Sequence, residues 1–487
     1  MDIRTESREV TLSSVGARLF LFAIGFAICK AVYNIYFHPL RKFPGPLLAA
    51  CSPLYYFYWL YTGKLYYAIK ESHDKYGDVV RFSPNMLVYR KTQVWQEVYG
   101  YHKNGTTFTK DPGFYPRNPS GHTMISTPYE AEHSSIRHAL SPAFSQTNIM
   151  GKEPVLQQNV QLLLDQLEGF ADSRTSVDIT KWYNYTTFDI VGDLAFSESF
   201  NCLRGSNHQW IDAIFRGMRI FVFIRPFLSL PTFILNGLLS YVSDESFTLI
   251  KKKIDQRLKL EPSRPDFLSH LLGHDKNNEI SKVEANAGVL VVAGSETTAT
   301  LLSGCTFYLL THPLVYEKLA NEIRGAFDYE DEITLLALGK LPYLQAVLEE
   351  SLRMYPPVPA ILPRTVPKGG AAVNGEFVPE GTSVTMAIFS AFRSPSEFTD
   401  PDSFIPERWL KDSPYKCQKE ALQPFSYGPR NCIGKVLAYA EMRLILARLL
   451  WKYDMKIDDE SYNWNDQIAY TVWVKKPLMV HLSPINR

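Results

Sequence analysis

Cysteine is scarce and scattered. The six thiols among 487 residues (Cys29, Cys51, Cys202, Cys305, Cys417, Cys432) form no Cys-x-x-Cys pair. That spacing excludes a zinc cluster and a dense disulfide framework, and it favours a reducing compartment for most of the chain. An excess of charge is missing too: 51 Lys plus Arg stand against 50 Asp plus Glu, which leaves no basic field for nucleic acid. No Pro/Gly/Ser-rich linker, internal repeat or low-complexity tract divides the chain, although its length exceeds the size at which one core stops growing and so allows two lobes. Long apolar runs are rare. The one candidate for a membrane span is 15–37, fully apolar from Leu19 to Cys29 but interrupted by Arg18, Lys30 and Asn34. Cations near the span ends can snorkel, and Tyr33 and Tyr36 suit an interface. A signal peptide or a buried helix are the alternatives, but no small-x-small cleavage site follows. The reading is a tail (1–14), a single-span anchor (15–37) and one continuous folded unit (38–487). Arg41 and Lys42, before the stiff Pro44-Gly45-Pro46 turn, mark the cytosolic side.

Helix outweighs strand along the rest of the chain. The alternation of 78–89 around Ser83-Pro84-Asn85 predicts a strand pair. Loop chemistry fills 104–129, and helices are predicted over 132–140, 155–170, 314–327, 343–354 and 436–451. The apolar, aromatic stretch 210–242 is broken by Pro226 and Pro231. Residues 284–311 form the longest helical pattern, ended by His312-Pro313, and 377–389 and 470–482 look like strands. Asn104 and Asn184 head glycosylation sequons that a cytosolic domain would leave unused.

What is present is a decisive decapeptide, Phe425-Ser-Tyr-Gly428-Pro-Arg430-Asn-Cys432-Ile-Gly434. Its five fixed positions recur by chance roughly once in several million windows at average residue usage. A thiolate just before a helix is stabilised by free N–H groups and the helix dipole, which lowers its pKa and fits it to ligate a metal. Gly428 and Gly434 would let the backbone pass close to a flat cofactor, Phe425 would cover the sulfur, and Arg430 would face an acidic cofactor edge. The alternative is a structural cysteine buried beside a Gly-rich turn. The segment resembles the heme-thiolate signature of the cytochrome P-450 superfamily.

Three further segments fit. Ala293-Gly294-Ser295-Glu296-Thr297-Thr298 lies inside the longest helical pattern. Gly294 sacrifices about 1 kcal/mol of helix propensity, which makes sense if something bulky must lie against the backbone. Thr297 can back-bond to the preceding turn and open a groove, and Glu296 supplies a carboxylate for proton relay. Splitting dioxygen needs electron density from a thiolate and protons from the opposite side, and the hexapeptide resembles the superfamily's acid–alcohol pair. Glu350-Ser-Leu-Arg353 places an ion pair on one helix face. With Arg408 in Phe404-Ile-Pro-Glu-Arg408-Trp it resembles the superfamily's Glu-Arg-Arg network, which implies a structural role in locking the cysteine loop and retaining cofactor. In His133-Ser-Ser-Ile-Arg137 the i, i+4 spacing puts both side chains on one face, able to reach porphyrin carboxylates. His133 stands where the superfamily more often has Trp and resembles the fungal variant. Arg364 matches another such contact.

The resemblance runs in order from Phe37 onward and implies a mainly α fold: a large helical lobe and a small β-rich lobe with heme b between them, Cys432 its axial ligand, after an N-terminal transmembrane helix. It implies insertion of one atom of O2 into a lipophilic small molecule. No flavin or ferredoxin motif is present, so electrons would come from NADPH through a separate flavoprotein reductase at the endoplasmic reticulum membrane. Lys416, Lys419 and Lys435 would dock that reductase or simply form a solvated face. Family position suggests substrate contacts within 113–126, 210–239, 289–297, 360–362 and 469–472, and 210–239 either dips into the bilayer or forms a buried helix pair. The 291–304 segment resembles fungal secondary-metabolite hydroxylases of the isotrichodermin 15-hydroxylase type, which points to hydroxylation or epoxidation of a terpenoid or polyketide. Two other classes stay open: a heme-thiolate isomerase or dehydratase that uses no O2, and a non-enzymatic membrane heme protein.

Overall fold

The computed structural model describes residues 3–102, 107–115, 122–229, 245–259, 265–274 and 280–485. Two helices dominate by length, Ile3–Tyr36 and Ile280–Thr311. The first is the longer by two residues, because the polar segment before Val15 carries no breaker and simply extends the apolar helix. From Val15 onward its side chains lie exposed up to Tyr33, which makes this stretch long and apolar enough to cross a membrane. Asn34 is different. It is buried, its Nδ2 donates to Cys51 O at 2.9 Å, and its own carbonyl accepts from Arg81 at 2.9 Å. The polar interruption at Asn34 is therefore the point where the helix enters the folded unit.

The helix Ile280–Thr311 has the opposite surroundings. It is buried over most of its length and packs against Ile179–Phe196 and Lys435–Lys452, with Glu153–Ser173 packed on both of these, in one large apolar core. Its C-terminal end is set by His312-Pro313, as expected, and it begins at Ile280, four residues before the expected start. Asn184, head of one sequon, is buried in the helix Ile179–Phe196; the other sequon begins at 104, outside the described residues.

The β-rich part is a five-stranded sheet in the order 79–83, 86–89, 383–386, 364–365 and 109–110, with its own apolar cluster around Leu87, Val384 and Met386. The pairing of 86–89 with 383–386 is parallel and the other pairings are antiparallel. Two strand expectations need correction. The stretch 377–389 is not one strand: Glu376–Val378 and Ser383–Met386 belong to different sheets, separated by a turn in which Gly381 takes φ +72°, and Ile388–Ala391 is helical. In 470–482 only Met479–Pro484 is a strand, because Ala469 bridges back to Trp473 and spends the preceding segment in a tight turn. In the apolar stretch after 208, the helix His208–Ile224 gives way to a 3-10 turn over Arg225–Ser229 that contains Pro226; Pro231 lies outside the described residues.

Candidate active site

The loop before the helix Lys435–Lys452 folds back on itself: the Cys432 N–H donates to Phe425 O at 2.8 Å and Asn431 N–H to Gly428 O at 3.1 Å. Gly428 has φ +73°, and a Cβ there would sit 2.0 Å from Tyr99 O. The Tyr99–Gly100 backbone therefore requires a glycine here. A Cβ on Gly434 would rest 3.8 Å from the sulfur in ordinary contact. The Phe425 ring packs against Tyr439 in a tilted pair, centroids 5.3 Å apart. Cys432 keeps accessible surface, yet protein encloses it closely enough that burial pushes the thiol up, outweighing the Gly434 N–H, Arg137 and Lys435, which pull it down. The helix start alone does not make it a thiolate; a bound metal ion removes the proton outright.

Around this loop five basic side chains converge. Burial, then Arg430, Arg137, Lys110 and Arg364, press the His133 pKa down to about 3, so the imidazole is neutral. Lys110 is buried and its pKa is driven well below the ordinary ammonium value by burial, then by Arg364 and Arg430. Lys110 and Arg364 stand directly opposite each other across an antiparallel strand pair, an arrangement of like charges that destabilises a sheet. Arg364 Nη1 is buried without a partner among the described residues. Arg430 donates to Thr127 O at 2.7 Å and pairs with Glu130 at 3.2 Å. Arg137 also braces the cysteine loop: its two terminal nitrogens hold Asn431 O at 2.7 Å and Asn431 Oδ1 at 2.6 Å. Buried cations facing one another need anions, and the two carboxylates of a heme edge fit this donor set. Lys110 was invisible in the sequence, where it sits in loop chemistry without periodicity; only strand pairing with Arg364 reveals it.

Behind the loop, Glu350, Arg353 and Arg408 are fully buried together. Glu350 accepts from Arg353 at 2.8 and 2.9 Å, Arg408 at 3.0 Å, Trp409 Nε1 at 2.8 Å and the Ile405 N–H at 2.8 Å. Arg353 in turn donates to Phe392 O, Pro401 O and Ser403 O. Every lone pair of the carboxylate is used, which is what makes a buried charge tolerable.

The long helix opens on one face. Val289, Ala293 and Thr297, spaced four apart, keep accessible surface, as do Gly288, Val292 and Gly294 beside them, in a helix otherwise buried from Val283 to Leu309. The Thr297 hydroxyl donates to Ala293 O at 2.7 Å, the back-bond expected of it. Gly294 keeps some surface there too, but a Cβ on it would lie 2.9 Å from Val191 Cγ2, so the glycine also serves a close helix crossing.

A family model for cytochrome P-450 matches residues 46–482. The chain belongs to the cytochrome P-450 family. It is similar to the cytochrome P-450 monooxygenases astJ of Aspergillus oryzae (41% identical over 480 residues, 95% of this chain and 96% of the relative) and atr2 of Stereocaulon alpinum (41% over 493 residues, 98% and 97%). It is also similar to tpeC of Talaromyces stipitatus (40% over 481 residues, 95% and 93%). This cytochrome P-450 is an oxygen-incorporating oxidoreductase that carries heme with thiolate iron ligation, and its fold is the mainly helical one with small sheets that the motifs implied.

Two acids complete the site of this cytochrome P-450. Glu296 is buried, with Lys475 Nζ at 2.5 Å and Thr300 Oγ1 at 3.0 Å from Oε1, while Oε2 is buried without a partner among the described residues. Burial raises its pKa against the opposing pull of Lys475. Lys475 comes from the turn before the last strand and had no signal in the sequence. Glu441, on the helix after the cysteine, is the second acid that sequence reasoning missed. It is buried, and burial pushes its pKa up to about 8.

Proposed function

We propose that this monooxygenase hydroxylates or epoxidises a lipophilic small molecule, a terpenoid or polyketide of fungal secondary metabolism, using electrons from NADPH delivered by a separate flavoprotein reductase. The observation that carries the reading is the accessible stripe of the long helix, where Val289, Val292 and Ala293 are apolar and Thr297 adds one hydroxyl. Bound heme supplies activation of O2, one atom entering the substrate and the other leaving as water. Cys432 would hold the iron, and Lys110, Arg364, Arg430 and His133 would hold the carboxylate edge. Thr297 holds a proton at Oγ1 on the open face. Glu296, one residue before it, keeps a proton to higher pH than an ordinary carboxyl because burial disfavours its charge, and it resupplies the alcohol. Ile361 and Tyr470 sit with Phe114 and Val222 in an apolar cluster that supports a lipophilic ligand.

The exposed helix from Val15 to Tyr33 supports a single span in the endoplasmic reticulum membrane with the catalytic unit in the cytosol. The first test is the carbon-monoxide difference spectrum of the reduced protein beside that of Cys432→Ser. A red-shifted Soret band that the variant lacks is expected; a histidine-type band would overturn the ligand assignment. Turnover of lipophilic candidates is then compared with and without NADPH and reductase. Product formed in full without NADPH would instead support an isomerase or dehydratase.

A further inference from the structure

We propose that the outer face of the helix Ile179–Phe196 carries a second small-molecule site, separate from the heme site, that takes a planar aromatic carboxylate. The helix has two unlike faces. On the inner one, Tyr183 shares a hydrogen bond with Thr306 of the long helix at 2.7 Å, and Val191 lies against Gly294. On the outer one, Lys181, Trp182 and Tyr185, which helical spacing brings together, line a cleft of about 430 Å³ with Phe170 and the turn around Arg204. That volume lies in the range of small-molecule sites, roughly 300–1,000 Å³. The walls are a run of rings. Phe170 meets Trp182 edge to face at 6.0 Å, Trp182 meets Tyr185 at 5.7 Å and 79°, and His208 stacks flat on Tyr185 at 4.1 Å. Two rings at right angles offer a third one a face and an edge, the contacts that aromatic groups prefer. The wall is also fixed before any ligand arrives. Asp189 accepts the N–H groups of Cys202 and Leu203 at 2.9 and 2.8 Å, Asn207 Nδ2 donates to Phe200 O at 2.8 Å, and His208 Nε2 donates to Cys202 O at 2.8 Å. A preformed wall spares the ordering cost of binding. Charge selects the rest of the ligand. Lys181 and Arg204 are both exposed, and Lys181 Nζ stands 5.7 Å from the Tyr185 ring centre, which puts a cation beside the aromatic corner. Asp178, the one acid among the described lining residues, is committed to the Leu478 N–H at 3.0 Å. Two cations against one committed carboxylate fit an anionic group.

The site lies outside the oxygen chemistry and is tested without turnover. Heme-loaded protein is titrated calorimetrically with 2-naphthoate, alone and with the iron blocked by clotrimazole. One equivalent that still binds under the azole, with no shift of the Soret band, is expected. Lys181→Glu/Arg204→Glu changes two exposed side chains and should weaken that binding about tenfold or more, and Trp182→Ala should do the same. The neutral 2-naphthamide, with the same rings and no charge, should bind about tenfold more weakly than the acid. Absence of binding at millimolar naphthoate would overturn the site. Binding abolished by the azole would overturn it too, since naphthoate would then enter only the heme pocket. Equal affinity of the parent and the charge-reversed variant, or of acid and amide, would defeat the assignment of a carboxylate ligand. Should Trp182→Ala fail to hold heme, the exposed charge pair decides between the same outcomes alone.

Discussion

Gly294 and Gly428 were legible as glycines that something requires, but not as to what. The sequence pointed at a flat cofactor for Gly428 and at something bulky against the backbone for Gly294; the molecule adds the carbonyl of Tyr99 and the side chain of Val191. A sequence lists which positions cannot carry a side chain, whereas the neighbour that forbids it comes from a helix or loop a hundred or more residues away. The consequence is measurable. Gly294→Ala gains about 1 kcal/mol of helix propensity but drives a methyl group to 2.9 Å from a stiff valine, and overpacking costs about 1–3 kcal/mol. A lower Tm is expected, with Gly294→Ala/Val191→Ala recovering most of it. A Gly294→Ala variant as stable as the parent would return the glycine to a role facing substrate. Glu441 gives a pH prediction at the same scale. Its folded pKa of about 8 lies above the unfolded value near 4.5, so the native state holds the proton more tightly. Its contribution is fully present below about pH 4.5 and is lost as pH rises through 8. Tm should therefore fall between those limits, and Glu441→Gln should flatten the slope.

Among elements, what the sequence conveyed well was whatever lies within one helix or one short loop. The Glu350–Arg353 pair and the Thr297 back-bond follow from spacing of three or four residues, and the helix bounds follow from proline and periodicity. What it conveyed poorly was pairing between elements. Lys110 facing Arg364, Lys475 gripping Glu296, and Arg137 bracing Asn431 each join parts of the chain far apart in sequence. Two predictions belong here. Arg353→Ala leaves Glu350 charged, buried and short of two hydrogen bonds, a loss of about 3–5 kcal/mol, and we expect protein that no longer retains heme; a normally loaded variant would refute the structural role. Lys475→Met strips the one cation from buried Glu296, whose pKa then rises further. NADPH consumed without product should increase several-fold while heme content holds, and Glu296→Gln/Lys475→Met should behave like Glu296→Gln alone. Additive losses in the double variant would show that Lys475 acts elsewhere.

For the molecule as a whole, exposed apolar side chains run from the first helix onto the two short helices that follow it. Asn34 fastens the end of the first helix to Cys51 and Arg81, and this sets the helix Leu47–Cys51 and its neighbour Leu54–Tyr61 beside the exposed Tyr36 and Phe37. On these helices Leu48 is 68% exposed and Leu54 73%, with Leu47 and Tyr58 close behind. Tyr61 stacks at 5.1 Å on Phe223 of the helix His208–Ile224, and Phe223 reaches Tyr470 at 5.7 Å, so the patch leads toward the apolar cluster that includes Ile361. Contiguous exposed apolar side chains on this scale mark a surface that water does not cover in use. Each leucine that enters a bilayer contributes about 1.5–3 kcal/mol, enough for three of them to hold the unit without its span. A chain lacking residues 1–33 should therefore still sediment with neutral phosphatidylcholine vesicles in high salt, where charge attraction is screened. The same chain carrying Leu47→Asp, Leu48→Asp and Leu54→Asp should stay in the supernatant with its heme spectrum unchanged. If the truncated chain alone is already free of vesicles, the span does all the anchoring, and the patch is then no route for a lipophilic substrate out of the membrane.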